Sequence, residues 1–174
     1  MPFWRLYYHL VWATKNREHI ILPEIEDRLY AYIVKKAAEM DIYVYVINGW
    51  YDHVHLIATI PPKYAIADVI KRIKGSSAHE FNRACERNEH FVWQRGYGVF
   101  SLGERQRSTA EAYVFNQKQH HQQQTINAWL EHTTEYDEGS DDTNTAPHPN
   151  PARLREQQQR IRHGVSHHSS KWAR

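Results

Sequence analysis

The order of local signals predicts an α+β domain built on one antiparallel sheet, with helices packed on one face and an extra helix at the C-terminal end. Three observations carry this. Four short runs rich in β-branched and aromatic residues alternate with two amphipathic helical stretches in the order β-α-β-β-α-β. A further helical stretch follows the fourth run. Beyond it the composition turns polar and loses its aliphatic residues. The order is the ferredoxin-like one, in which the first and third strands form the central pair.

Residues 6–14, Leu-Tyr-Tyr-His-Leu-Val-Trp-Ala-Thr, read as a buried strand. Pro23 opens a helix at its favoured first position, with Glu24, Glu26 and Asp27 where the helix dipole suits negative charge. Ile25, Leu29, Ile33, Ala37 and Met40 recur at three- and four-residue spacing and form its buried stripe. Residues 42–47 read as the second strand, and Asn48-Gly49 as the turn after it. The third strand runs over residues 52–60 and stops at Pro61-Pro62.

A second helix is expected over residues 65–83, with Ile66, Val69, Ile70, Ile73 and Phe81 on its apolar side. Gly75-Ser76-Ser77 marks a kink or a close backbone approach to a ligand. Residues 88–98 form a loop, and residues 99–102 the fourth strand. The last helix is expected over residues 107–129, with Ala110, Ala112, Val114, Phe115 and Ile126 as its apolar residues. Residues 1–130 read as one domain and residues 131–174 as a disordered tail, with a short helix possible over 151–162.

The formal charge is only +2, but the carboxylates are unevenly placed. Glu131, Glu135, Asp137, Glu138, Asp141 and Asp142 lie together with no Lys or Arg between them, and without these six the formal charge becomes +8. An acidic patch can be separate from a basic binding face, and an ordinary mixed surface is the alternative. The single cysteine, Cys85, excludes an intramolecular disulfide and fits a reducing cytosol. No apolar run approaches the roughly 18 residues that span a membrane. The opening residues enter a strand pattern directly, so no signal peptide is expected.

The chemistry centres on residues 50–57, Trp-Tyr-Asp-His-Val-His-Leu-Ile. Alternate strand residues share a face, so His53 and His55 point one way while Val54 and Leu56 point into a core. Such a pair can share a metal ion. It can equally be two half-exposed strand histidines in a chain that has 13. On the last helix Tyr113 and Gln117 are one turn apart and share a face. If that helix packs near the histidines, Gln117 can add an oxygen ligand. Two imidazoles and one amide oxygen make an open site suited to Mg²⁺ or Mn²⁺ acting on a phosphate. Tyr113 would then stand beside that phosphate as a nucleophile.

Lys71, Arg72 and Lys74 form a basic cluster, which is either a phosphate-contacting surface or a solvated face. Phe91, Trp93 and Tyr97 interleaved with Arg95 suit stacking on unpaired bases, or simple packing against the domain. Asp52 either orients a histidine or begins the strand. His120 and His121 share the polar face of Tyr113, where they can bond to DNA or metal or remain solvated. His9 reads as a packed strand histidine.

These residues resemble a known family. Residues 51–56, Tyr-Asp-His-Val-His-Leu, are similar to the HUH motif (His, bulky apolar, His). Residues 112–121, Ala-Tyr-Val-Phe-Asn-Gln-Lys-Gln-His-His, resemble the catalytic helix of the single-tyrosine HUH transposases of the insertion-sequence 200/605 type. Residues 8–17 are similar to that family's first strand, and residues 93–101 to the segment before its last helix. The resemblance spans residues 3–129 and stops short of the tail. It implies a prokaryotic, cytoplasmic enzyme that cuts and rejoins single-stranded DNA through a 5′-phosphotyrosine. Tyr113 would be the nucleophile, and His53, His55 and Gln117 would hold Mg²⁺ or Mn²⁺. It also implies a hairpin-bearing DNA partner and a homodimer, in which one subunit's tyrosine helix can complete the other's site. Lys71, Arg72, Lys74 and Arg95 would contact the DNA backbone. A domesticated endonuclease acting on repeated palindromes, and a non-catalytic nucleic-acid-binding module of the same fold, are the alternatives.

Overall fold

The computed structural model describes residues 3–84, 90–128 and 130–133. Expectations for Cys85, for Trp129 and for the tail beyond residue 133 lie outside these described residues. The elements are β1 (Tyr7–Ala13), α1 (Pro23–Ala38), β2 (Tyr43–Trp50), β3 (His53–Thr59), α2 (Ile66–Ala84), β4 (Gly98–Leu102), α3 (Glu104–Phe115) and α4 (Gln117–Gln123), with a short 3₁₀ turn at Lys15–Arg17. The four strands form one antiparallel sheet in the order β2-β3-β1-β4, so β1 and β3 are the central pair as the sequence predicts.

Strand alternation divides the sheet into two faces. Leu10, Trp12, Val54, Leu56 and Ala58 turn to one side and meet Ile25, Leu29, Ile33 and Ala37 of α1 and Val69, Ile70, Ile73 and Phe81 of α2 in the core. The predicted α1 stripe is buried along its whole length, including Met40 just beyond the helix. His9, His53 and His55 have the opposite parity. They lie on the other face, across which α3 packs against β2 and β3.

Three expectations are corrected. Asn48-Gly49 is not a turn: it lies inside β2, where Asn48 pairs with His55 and Gly49 with Val54, and the reversal falls at Tyr51-Asp52. Glycine is required there by close approach, because a Cβ on residue 49 would lie 2.1 Å from the His53 carbonyl oxygen. Helix α2 runs unbroken through Gly75-Ser76-Ser77. The two serine hydroxyls donate to the carbonyls of Ile73 and Lys74, and a Cβ at Gly75 would meet nothing within 4 Å among the described residues.

For Phe91 and Trp93 the structure selects the second of the two readings, packing against the domain. Their rings meet edge to face at 4.7 Å, and Trp93 Nε1 donates to Ser77 Oγ at 2.9 Å. Finally, the last helix is two. It breaks at Asn116 (φ −94°, ψ 17°), and α4 ends at Gln124 in the left-handed conformation (φ 56°). Of its expected apolar residues only Val114 is buried; Phe115 and Ile126 are exposed. The face these helices bury is polar because it covers the histidines.

Among the described residues no helix is long and apolar enough to cross a membrane.

Opposite signs are expected for two glycine substitutions, read as thermal unfolding midpoints. Gly75→Ala should stabilise by about 1 kcal/mol, or about 2–4 °C. Gly49→Ala should destabilise by about 2 kcal/mol or more, because the clash is with backbone of the neighbouring strand.

Candidate active site

Strand β3 fixes the position of both histidines, and each has its Nδ1 already engaged. His53 Nδ1 lies 2.6 Å from Asp52 Oδ1, and Arg17 Nη1 donates to the other oxygen of Asp52 at 3.1 Å. His55 Nδ1 lies 2.8 Å from His9 Nε2 on β1, with the two rings stacked at 5.0 Å. Holding Nδ1 in this way orients a ring and directs its Nε2 at whatever it binds. Asp52, at the reversal before β3, is therefore also a hydrogen-bond partner of His53. His9 is packed, as expected, but it also sets the orientation of His55. The sequence contained the signal: residue 9 shares its parity with the face of β1 opposite Leu10 and Trp12.

Both Nε2 atoms converge on one carboxylate. Glu131 Oε2 lies 3.0 Å from His55 Nε2 and 3.1 Å from His53 Nε2. The second oxygen, Oε1, accepts from Tyr113 Oη at 2.8 Å and from Gln117 Nε2 at 3.1 Å. Asn127 N–H donates to Tyr113 Oη at 3.0 Å. A single chain therefore gathers His53, His55, Tyr113 and Gln117 around one point. Glu131 was read in the sequence only as the first acid of the polar tail. Spacing gave no cue to it, since its approach depends on the break at Asn116 and the left-handed Gln124.

His120 and His121 are at the site as well. His120 stacks on Tyr113 with centroids 4.8 Å apart, and its Nδ1 lies 3.0 Å from Thr125 Oγ1. His121 Nε2 lies 3.2 Å from His53 Nε2, with its ring stacked on Trp50 at 5.0 Å. The basic residues are elsewhere. Lys71 and Arg72 are exposed on α2, the helix that packs on the other face of the sheet, and Arg95 is exposed in the loop before β4. Lys74 is not available as an outward-facing cation. It is buried, and its ammonium donates to the carbonyls of Arg95 at 2.7 Å and Gly96 at 3.1 Å, because a buried charge must be hydrogen-bonded.

Charge follows this geometry. Burial opposes ionisation of Glu131, but hydrogen bonds from His53 and His55 outweigh it and hold the carboxyl far below its ordinary range. Burial also works against a charged His53, yet Asp52 and Glu131 raise its pKa. Burial lowers His55, and it pushes His9 down to about 3 with help from His55. Tyr113 is raised, first by burial and also by Glu131.

The donor set fits a divalent metal ion. One ligand atom each from His53, His55 and Glu131 all lie within 4.8 Å of one another. Gln117 is fully buried, and its Oε1 has no hydrogen-bond partner among the described residues. An orphaned buried acceptor carries a cost that a cation would remove.

A histidine pair on a central strand thus faces a tyrosine on α3 and a glutamine on α4, in the sheet-and-helix fold of a known class of DNA-processing proteins. The chain belongs to the IS200-like transposases: residues 2–117 match the family described as "Transposase IS200 like". It is 29% identical over 119 residues to the ISDra2 transposase TnpA of Deinococcus radiodurans, covering 66% of this chain and 85% of that protein. To the transposase for insertion sequence element IS200 of Salmonella typhimurium it is 30% identical over 107 residues, covering 58% and 69%. A solved structure described as a transposase of Deinococcus radiodurans R1 superposes with a TM-score of 0.55 at 28% identity, covering 67% of this chain and 93% of that one. A REP-associated tyrosine transposase bound to a REP hairpin shares the fold, with a TM-score of 0.54 at 17% identity over 70% and 74% of the two chains. The family match ends at Gln117, so His120, His121 and Glu131 lie beyond it.

His9→Phe should keep the fold but release His55. Mn²⁺ affinity measured by titration calorimetry should fall by about 10- to 100-fold. His19→Ala, on the exposed 3₁₀ side, should leave it unchanged.

Proposed function

We propose that this chain is a metal-dependent transposase that cuts and rejoins single-stranded DNA through a 5′-phosphotyrosine on Tyr113. The observation that carries the reading is the shared carboxylate. One anionic oxygen pair touches both histidine Nε2 atoms, the tyrosine hydroxyl and Gln117 at 2.8–3.1 Å. A scissile phosphate presents the same kind of oxygen pair to the same groups.

His53, His55 and Gln117 would hold Mg²⁺ or Mn²⁺, which supplies Lewis-acid polarisation of the phosphate and a positive charge favouring the phenolate. Tyr113 is otherwise kept protonated by burial and by Glu131. Its Oη gives up its proton and attacks phosphorus in line; the Oη–P bond forms, the P–O3′ bond breaks, and the leaving 3′ oxygen takes up a proton, so that none is gained or lost overall. Attack by another strand's 3′-OH reverses these steps, so the phosphodiester is conserved as a tyrosyl ester and no external energy source is needed. Asn127 N–H and the stacked His120 restrain the nucleophile.

The proposed partner is a single-stranded DNA hairpin; a fold relative is known bound to a REP hairpin. Lys71, Arg72 and Arg95 are the proposed backbone contacts, with Lys74 holding the loop that carries Arg95. The resemblance supports a homodimer in a bacterial cytoplasm. Within that dimer each tyrosine would serve its own subunit's histidines.

The test is incubation of a single-stranded hairpin oligonucleotide carrying an IS200-type element end with Mn²⁺. A covalent protein–DNA adduct is expected, reduced by at least about 1,000-fold in Tyr113→Phe and in His55→Ala. Tight binding without any adduct would instead favour a non-catalytic binding module.

A further inference from the structure

The carboxylate that both histidines meet has no Lys or Arg paired with it among the described residues. The Glu131 side chain is only 11% exposed, and its ion-pair partners are the imidazoles of His53 and His55. Its Oε1 is satisfied by Tyr113 and Gln117, but Oε2 faces the two Nε2 atoms. The N–H of a neutral His53 is spent on Asp52, which leaves a lone pair on Nε2 facing Oε2. Beside them, the fully buried Gln117 leaves its own Oε1 without a partner among the described residues. Acceptors turned toward one another around a buried carboxylate call for a cation between them.

The spacing fits one ion. Two donors bound at about 2.1 Å and at right angles lie about 3 Å apart. Glu131 Oε2 is 3.1 Å from His53 Nε2 and 3.0 Å from His55 Nε2. One ligand atom from each of the three residues lies within 4.8 Å of the others. The backbone delivers the carboxylate to this point. Glu131 N–H donates to the Asn127 carbonyl at 3.2 Å, and Asn127 N–H donates to Tyr113 Oη at 3.0 Å. Gly98 leaves room for the carbonyl of His132, the next residue. Glu131 stands 14 residues beyond Gln117, where the family match ends.

We propose that Glu131 is a carboxylate ligand of the metal centre in the DNA-free chain, bound through Oε2 beside His53, His55 and Gln117, while its Oε1 holds the Tyr113 hydroxyl next to the same ion. This rests on the metal-centre reading above and extends its ligand set past the residues that the family match covers. One carboxylate then ties the ion to the nucleophile. Two imidazoles, an amide oxygen and a carboxylate oxygen form a mixed set that suits Mn²⁺. The scissile phosphate offers the same kind of oxygen pair, so it exchanges with this carboxylate rather than entering a vacant position.

The experiment is diffraction from crystals of the full chain, stripped with chelator and reloaded with Mn²⁺, with the ion located by its anomalous scattering. Glu131 Oε2 should lie about 2.2 Å from the ion. In solution, Glu131→Gln keeps the side-chain shape and an acceptor for Tyr113 but removes the charge. Titration calorimetry should show its Mn²⁺ affinity lowered at least about tenfold. An ion held by the histidines with the Glu131 carboxylate turned away, or an affinity that Glu131→Gln leaves unaltered, would overturn the carboxylate ligand while leaving the histidine centre intact. Wild type that takes up no Mn²⁺ would overturn both.

Discussion

The strict alternation of side chains along β3 is the constraint on which the rest depends. Val54 and Leu56 are fully buried in the core on one side, and His53 and His55 are fixed on the other. Because β3 is central, paired with β1 and β2, its register cannot slip without exchanging these two sets. The same hydrophobic packing that stabilises the domain therefore positions two imidazoles rigidly. Gly49 is part of this arrangement, since it lets β2 approach the backbone at His53.

A site set on a rigid strand still needs its reactive groups delivered from elsewhere, and the C-terminal part of the chain does this. Helix α3 crosses the histidine face and carries Tyr113; α4 restarts after Asn116 and brings Gln117 and His121. The chain then reverses at Gln124 and returns Asn127 to the tyrosine oxygen and Glu131 to all four groups. Gly98 at the start of β4 permits the return: a Cβ there would lie 2.2 Å from the His132 carbonyl oxygen. The covering layer is polar because it meets imidazoles rather than a hydrophobic surface, which explains why Phe115 is left exposed.

This division accounts for what was legible in the sequence. The sheet, its central pair, the α1 stripe and the shared face of His53 and His55 all follow from periodicity, which local residues determine. Helical spacing also anticipated that Tyr113 and Gln117 come together, although the helix breaks at Asn116 between them. Asn48-Gly49 misled because its dipeptide signature is that of a turn, whereas its actual role is a close approach between strands. The single long terminal helix misled because the break at Asn116 carries no Gly or Pro. Glu131 was illegible for a deeper reason: its role depends on where two separate reversals return the chain, and no local pattern encodes that. Lys74 looked like a partner of Lys71 and Arg72, but its burial is set by a loop 21 residues away.

The central claim is that one chain supplies both the nucleophile and the histidine pair of a working site. The most direct measurement is to co-express Tyr113→Phe with His55→Ala and assay the mixed population for the covalent hairpin adduct, beside wild type. A site completed within each chain predicts an adduct with wild type and none with the mixture, because neither subunit holds both halves. Recovery of adduct in the mixture would contradict the account, since it would require the tyrosine of one subunit to act on phosphate held by the histidines of another.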